Sequence, residues 1–156
     1  MYFKTIDLYV GHGSAVYLKD VNLYAVLVCA VAAMVVGFVW YSPMLFARPW
    51  MRAMGLDPDD KAKMAEMQKG AGPSYGVSFV SALITAFVLG KIIWIANVSS
   101  PLYGMKVAAA VWLAFVTTVQ LTGVLFAKQR WALYLINTGY QLVCYLVMGA
   151  ILAVWQ

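Results

Sequence analysis

Residues 21–41 read VNLYAVLVCAVAAMVVGFVWY, and this stretch contains no charged side chain. An α-helix needs roughly 20 apolar residues to cross the hydrocarbon core of a bilayer. Helices are favoured there because a helix bonds its own backbone N–H and C=O groups, which lipid cannot do. The stretch is therefore predicted to be a transmembrane helix that ends at Tyr41, since Ser42 precedes Pro43 and is pushed out of the helical region.

Three further apolar runs follow, over about residues 75–98, 103–127 and 131–155. Short connections between consecutive spans place neighbouring helices antiparallel. The sequence predicts an all-α fold: a four-helix transmembrane bundle of up-down topology, forming one membrane domain over residues 21–156. No second, water-soluble domain is expected between the spans.

The composition agrees with a membrane protein. Hydrophobic residues make up 64% of the chain and charged residues 11%, whereas soluble domains carry about 25% charged residues. The net charge of +5 does not indicate nucleic-acid binding, because the basic residues lie beside the apolar runs. Membrane lipids, including anionic headgroups, are the expected partners. Cys29 and Cys144 fall within spans and are expected to act as small apolar side chains.

The distribution of Lys and Arg predicts the orientation. Seven lie in the first and third connections: Arg48, Arg52, Lys61, Lys63, Lys69, Lys128 and Arg130. Four lie on the opposite side: Lys4, Lys19, Lys91 and Lys106. Because cytoplasmic loops are enriched in Lys and Arg, both termini are expected outside the cytoplasm. Interfacial positions predicted at the inner boundary are Trp40, Tyr41, Arg48, Trp50, Arg52 and Trp131.

The connection after the first span mixes aromatic, Met and Arg side chains from Phe46 to Met54, which suits the headgroup level. A short interfacial helix is predicted to follow, with Asp57 as its N-cap and Pro58 at its first position. The neighbouring carboxylates, Asp59 and Asp60, are assigned to the first turn of this helix in preference to a cation site.

Small residues recur at every fourth position in the first two spans. The rows are Ala25, Cys29, Ala33 and Gly37 in the first span, and Ser78, Ala82, Ala86 and Gly90 in the second. Such rows allow close helix approach in membranes. An internal packing face is the favoured interpretation, with an oligomer contact as the alternative.

A few polar residues lie inside the last two spans. Thr117 and Gln120 share one face of the third, and Asn137 and Gln141 share one face of the fourth. Counting about 1.5 Å per residue from the connection at 128–130 predicts a polar seam that pairs Gln120 with Asn137 and Thr117 with Gln141. The favoured role is structural hydrogen bonding, and the alternative is the lining of a solute path.

Catalytic machinery is not expected. His12 is the single histidine, and all six acidic residues lie outside the spans. Neither a nucleophile with its base nor a metal cluster can be assembled, so the chain is predicted to have no metal site, no cofactor and no enzymatic activity. Lys91, inside the second span, is expected to extend its ammonium group to the interface.

Three segments carry a resemblance to a known family: GFVWYSPMLFARPWMRAMG at 37–55, LFAKQRWALYLINTGYQLV at 125–143 and MGAILA at 148–153. The chain resembles, over about residues 22–155, the membrane proteins grouped as domain of unknown function 1761. The resemblance implies a small four-span protein of the bacterial inner membrane, and it carries no catalytic residues with it. Residues 1–20 precede the matching region, and their apolar spacing predicts an interfacial arm.

Two functions are weighed. The first is a non-enzymatic structural or accessory subunit that forms a homo-oligomer or binds a larger membrane complex. It is favoured by the rows of small residues and the abundance of aromatic and Met side chains. The second is a channel or carrier for a small solute or lipid, for which the polar seam would have to line a cavity.

Overall fold

The computed structural model describes residues 21–156, and all regular secondary structure in that part of the chain is helical. The helices are α1 (Leu23–Trp40), α2 (Ala47–Ala53), α3 (Lys61–Lys69), α4 (Gly72–Ile95), α5 (Pro101–Ala127) and α6 (Trp131–Val154). The predicted arm over residues 1–20 lies outside the described residues.

Four of these helices, α1, α4, α5 and α6, are long and apolar enough to cross a membrane. The predicted four-span helical fold is confirmed, with small changes at the span ends. The second span begins earlier, at Gly72, because Pro73 fits the first turn of a helix, where its missing N–H is not needed. It ends at Ile95, and Asn97 then takes a left-handed conformation with φ of 52°.

Helix α6 lies at the centre of the bundle and packs against α1, α4 and α5. Helices α1 and α4 also pack against each other, whereas α5 packs almost entirely on α6 and scarcely touches α4. The bundle therefore has a three-helix core with α5 at its edge. We call the end that holds the connections at 41–71 and 128–130 the basic end, and the end that holds residues 96–100 the terminal end.

The closest helix pair is α5 with α6. A Cβ atom added at Gly104 would overlap the backbone oxygen of Gly149 and the Cβ of Ala153. A Cβ added at Gly149 would overlap Gly104 and Ala108 in return. The sequence analysis missed this contact, although the signal was present: each helix carries a Gly and an Ala four residues apart, a known motif of close approach in membranes.

The two predicted rows of small residues lie partly in the interior. Ala25, Cys29, Ala33, Ala86 and Gly90 are buried, Gly37 and Ala82 are half-buried, and Ser78 is exposed. Helix α6 packs on both of the helices that carry these rows. The Cys29 thiol points to the carbonyl oxygen of Met148 at 3.9 Å, and the Gly37 backbone lies against the Tyr140 ring.

Helix α5 is not regular throughout. Residues Trp112–Thr117 form a π-helical segment, which adds residues to a turn. On a regular helix, twelve residues at about 100° each place Gln120 about 120° around from Ala108. One extra residue in a turn removes about 100° of that difference. The π segment therefore brings Gln120 to the face of α5 that packs on α6.

The connection between the first two spans contains two short helices instead of the single one predicted. The predicted cap at Asp57 is wrong: Asp60 is the N-cap of α3 and accepts a hydrogen bond from the Lys63 N–H at 3.0 Å. Asp57 instead accepts from the Asp59 N–H at 3.0 Å, a local turn that competes with helix formation. The Asp59 carboxylate pairs with Arg48 at 3.3 Å and links this turn to α2.

At the terminal end, two lysines lie near aromatic rings. The Lys91 ammonium is 5.8 Å from the centre of the Trp94 ring, and the Lys106 ammonium is 4.9 Å from that of Tyr103. Because α4 ends at Ile95, Lys91 is only about 6 Å along the helix from its end. That distance is short enough for the side chain to reach the interface.

Candidate functional site

A cavity of about 670 Å³ lies at the basic end of the bundle, and all six helices contribute to it. Helices α1, α4, α5 and α6 form its walls, and the short helices α2 and α3 lie over it. The lining residues are Met34, Gly37, Phe38, Tyr41, Ala47, Trp50, Met51, Met64, Met67, Gln68, Ala71, Tyr75, Ser78, Gln120, Asn137, Tyr140 and Gln141.

Aromatic residues at the end of α1 fix the position of the cavity wall. The Trp40 indole N–H donates to the carbonyl oxygen of Ile136 at 3.1 Å, and the Tyr41 hydroxyl donates to Asn137 Oδ1 at 3.0 Å. The Tyr41 ring also contacts the Trp50 ring edge-on, with 5.6 Å between centres. These predicted interfacial residues therefore also join α1 and α2 to α6.

The other predicted interfacial residues stay at the surface. Arg48 and Arg52 are exposed, and the backbone oxygen of Arg52 accepts from the Arg130 guanidinium at 2.6 Å. Trp131 is exposed and packs edge-on against Tyr134. The hydrogen bond from Arg130 to Arg52 links the connection at 128–130 to α2.

The predicted pairing of the polar seam is wrong in both pairs. Gln120 Nε2 donates to Gln141 Oε1 at 2.9 Å instead of meeting Asn137. Thr117 does not reach Gln141, since its hydroxyl donates to the carbonyl oxygen of Leu113 in its own helix. The prediction paired residues only by their depth from the connection, and depth alone does not decide which side chains meet. It also considered α5 and α6 alone, and therefore missed Tyr41 as the partner of Asn137.

Three amide atoms of this polar group have no hydrogen-bond partner within the described chain: Asn137 Nδ2, Gln141 Nε2 and Gln120 Oε1. Among the described residues, every fully buried side-chain nitrogen or oxygen has a partner. The three atoms are therefore accessible, and the cavity is the space that their residues line. The cavity thus offers two amide NH2 groups as donors and one carbonyl oxygen as acceptor.

The remainder of the lining is largely apolar and uncharged. Four methionines, Met34, Met51, Met64 and Met67, lie on three different helices. Methionine is flexible and polarisable, and such side chains adapt to ligands of varied shape. None of the described residues that line the cavity is charged, because the charged side chains of α2 and α3 are exposed at the surface.

The cavity reaches about halfway into the bundle. Asn137 and Gln141 lie about 9 and 15 Å from the start of α6, by the rise of a helix. One turn beyond, Ala33 and Cys144 are buried in the core cluster and do not line the cavity. Phe38 is 61% exposed and Tyr75 is 51% exposed, so the space is open at the surface of the bundle. The site is a blind, open cavity.

Sequence analysis identified Gln120, Asn137 and Gln141 as a polar group but missed most of the apolar lining. Met51 is 8% exposed and Tyr140 half-buried, and both face the cavity. The spacing of Met64 and Met67, three residues apart on α3, was the available signal. This spacing did not predict a cavity wall, because a pattern within α3 does not show where α3 lies relative to the bundle.

Four membrane-length helices, two short helices over one end and a blind cavity beneath them define a multi-span α-helical membrane protein with a cavity at one end. The profile of a family described as Protein of unknown function (DUF1761) matches residues 24–153. The chain belongs to the DUF1761 family, which confirms the resemblance read from its motifs. Comparisons with curated proteins and with solved structures gave no match.

Proposed function

We propose that this membrane protein binds a small amphiphilic molecule in the cavity at its basic end, and holds or carries it without catalysing a reaction. The observation that carries the proposal is the composition of the cavity: accessible amide groups at its inner end and a Met-rich, aromatic lining towards the surface. A ligand with a polar group and an apolar body matches both parts.

The size of the cavity supports this function. Its volume of about 670 Å³ lies within the roughly 300–1,000 Å³ typical of small-molecule sites, which are also mostly apolar with a few placed polar groups. A route from the bilayer is available because α4 and α5 flank the cavity and scarcely touch each other. The buried layer at Ala33 and Cys144 favours a carrier or holding function over a continuous channel.

The proposal includes a location. The bias of Lys and Arg towards the basic end supports placing that end, and therefore the cavity, on the cytoplasmic side of a bacterial inner membrane. Both termini would then lie outside the cytoplasm. Labelling of a cysteine placed at Gln129 with a membrane-impermeant reagent tests this orientation: labelling in intact cells would contradict it.

Binding is testable with three probes that share a dibrominated chain of 18 carbons and differ in their polar group: a monoacylglycerol, an alkyl sulfonate and an alkyl trimethylammonium. Bromine quenches tryptophan fluorescence on contact, and Trp50 lines the cavity. We expect saturable quenching of the purified protein in neutral detergent by at least one probe. The saturable component should disappear in Trp50→Phe.

Two neighbouring positions of α4 provide a matched pair. Ser78 is exposed and lines the cavity, and Val77 is 68% exposed without lining it. Ser78→Phe should fill the cavity and weaken binding about tenfold or more, which corresponds to about 1.4 kcal/mol. Val77→Phe, facing lipid, should bind as the wild type does. Equal quenching in both variants, or no saturable quenching by any probe, would show that the cavity is not a binding site.

A second candidate function is that of an accessory subunit that self-associates or joins a larger complex. The position of α5 favours the accessory function. Only 6% of the residues in the apolar stretch of α5 are buried within the protein, against 33% for α6. An edge helix leaves a wide apolar face for lipid or for another helix. Two bulky side chains four residues apart on α5, Phe115 and Val119, are each more than 60% exposed.

A further inference from the structure

We infer that the polar group recognised in the cavity is uncharged and accepts hydrogen bonds, so that the ligand is a neutral lipid carrying a carbonyl or ester group. This inference rests on the proposed binding function and specifies its substrate class. It combines three observations: the depth of the amides, the lack of charge among the described lining residues, and the identity of the accessible atoms.

The depth of the site disfavours a charged ligand. Asn137 and Gln141 lie about 9 and 15 Å into α6, below the level at which phospholipid headgroups normally lie. An ion placed there loses its hydration, which is costly unless an opposite charge or several hydrogen bonds replace it. No described lining residue supplies an opposite charge.

The charged side chains of the helices around the cavity do not line it. On α2, Arg48 pairs with Asp59 at the surface and Arg52 is exposed. On α3, the basic residues are exposed, and Met64 and Met67 are the side chains that line the cavity. A phosphate or sulfonate group at the amides would therefore lack a cationic partner, and an ammonium group would lack a carboxylate.

The accessible atoms indicate what the ligand supplies. The oxygen atoms of Asn137 and Gln141 each already accept one hydrogen bond, from Tyr41 and from Gln120. Their amide NH2 groups have no such partner and lie one turn apart on α6, and N–H donors favour an acceptor such as an ester or ketone oxygen. The acceptor oxygen of Gln120 accommodates one hydroxyl group, as a monoacylglycerol provides. The acyl chain would then lie against the methionines and leave between α4 and α5.

The three probes described above separate this inference from the function on which it rests. We expect the monoacylglycerol to bind at least about tenfold more tightly than the sulfonate or the trimethylammonium probe of the same chain. If a charged probe binds as tightly, the neutral-lipid inference fails while a binding function stands. If no probe gives saturable quenching, the proposed function itself fails.

Two amide variants test the recognition directly. Gln141→Met keeps the length of the side chain and removes both its N–H donor and the oxygen that accepts from Gln120. Asn137→Leu, at similar volume, removes the N–H donor and the oxygen that accepts from Tyr41. Each should weaken monoacylglycerol binding about three- to tenfold, the usual size for one hydrogen bond. The ratio of neutral to charged affinity should fall in parallel. An unchanged ratio in both folded variants, checked by circular dichroism and gel filtration, would show that the amides do not recognise the polar group.

Discussion

Gly104 and Gly149 allow the backbones of α5 and α6 to meet, because any side chain at either position would overlap the facing helix. Lipid provides no hydrophobic drive for helix association, so van der Waals contact between close backbones is a main source of attraction in the bilayer. Ala108 and Ala153 complete the contact one turn further along each helix. At the residue scale, this pair is the most sensitive part of the fold.

Gly149→Ala should destabilise the protein by about 1–3 kcal/mol or more, since the added methyl group would press on the Gly104 backbone oxygen and Ala108. The measurement is reversible unfolding in mixed micelles. Gly123→Ala is the control, because Gly123 lies in the facing helix α5 with no atom within 4 Å of the added Cβ. That change should be neutral or stabilising by about 0.5–1 kcal/mol. Equal losses in the two variants would contradict the packing assigned here.

Polar residues show what could be predicted at this scale. The residue types made Gln120, Asn137 and Gln141 stand out in apolar spans, and the structure places them around one cavity. Their partners could not be predicted, because Tyr41 precedes its partner Asn137 by 96 residues in the chain. A hydrogen bond between distant segments depends on the packing of the whole bundle and not on local spacing.

At the element scale, the π segment of α5 divides the helix into two functional halves. The half that begins at Pro101 carries Gly104 and Ala108 for packing on α6, and the half that ends at Ala127 carries Gln120 into the cavity. In a regular helix of this sequence, one of those two faces would point away from α6. With the π segment, both the Gly104 face and Gln120 of α5 contact α6, which a regular helix would not allow.

Deletion of one residue tests this role. Removing Ala114 should convert the π segment to regular helix while leaving both faces towards α6, so stability should remain within about 1 kcal/mol of the wild type and probe binding should persist. The control is deletion of Val143 from α6, a regular helix. That deletion rotates Gly149 by about 100° relative to Asn137 and should cost about 3 kcal/mol or more.

The two deletions are compared by unfolding in mixed micelles and by monoacylglycerol quenching. Equal losses of stability in the two deletions would show that the π segment cannot lose a residue without disturbing the packing of α5 on α6. The sequence did not predict the π segment, because the apolar pattern identifies one 27-residue helix and an additional residue in a turn leaves no mark in hydropathy.

At the scale of the whole molecule, the centre of the bundle is α6 and its edge is α5. Self-association, the second candidate function, would use the edge. In membranes under mild oxidation, Phe115→Cys, at a position 68% exposed on α5, should cross-link two copies. The native Cys29 and Cys144 are buried and should give little background.

Ile84→Cys is the matched control, because Ile84 is 61% exposed on α4. It should remain uncross-linked if the contact is specific to α5. Cross-linking from both positions would indicate random collision, and cross-linking from neither would count against self-association through α5. The measurement is electrophoresis without reducing agent, and it is independent of the ligand experiments.

The sequence by itself determined the class of fold. Four long apolar stretches of membrane length leave one solution for their backbone groups, and the number and approximate ends of the spans follow from hydropathy, proline and glycine. The tertiary structure decided the rest: which helix is central, where the closest contact lies, and that side chains from all six helices surround one cavity. These features depend on how helices approach and rotate, which the apolar pattern leaves open because lipid accepts every apolar face equally.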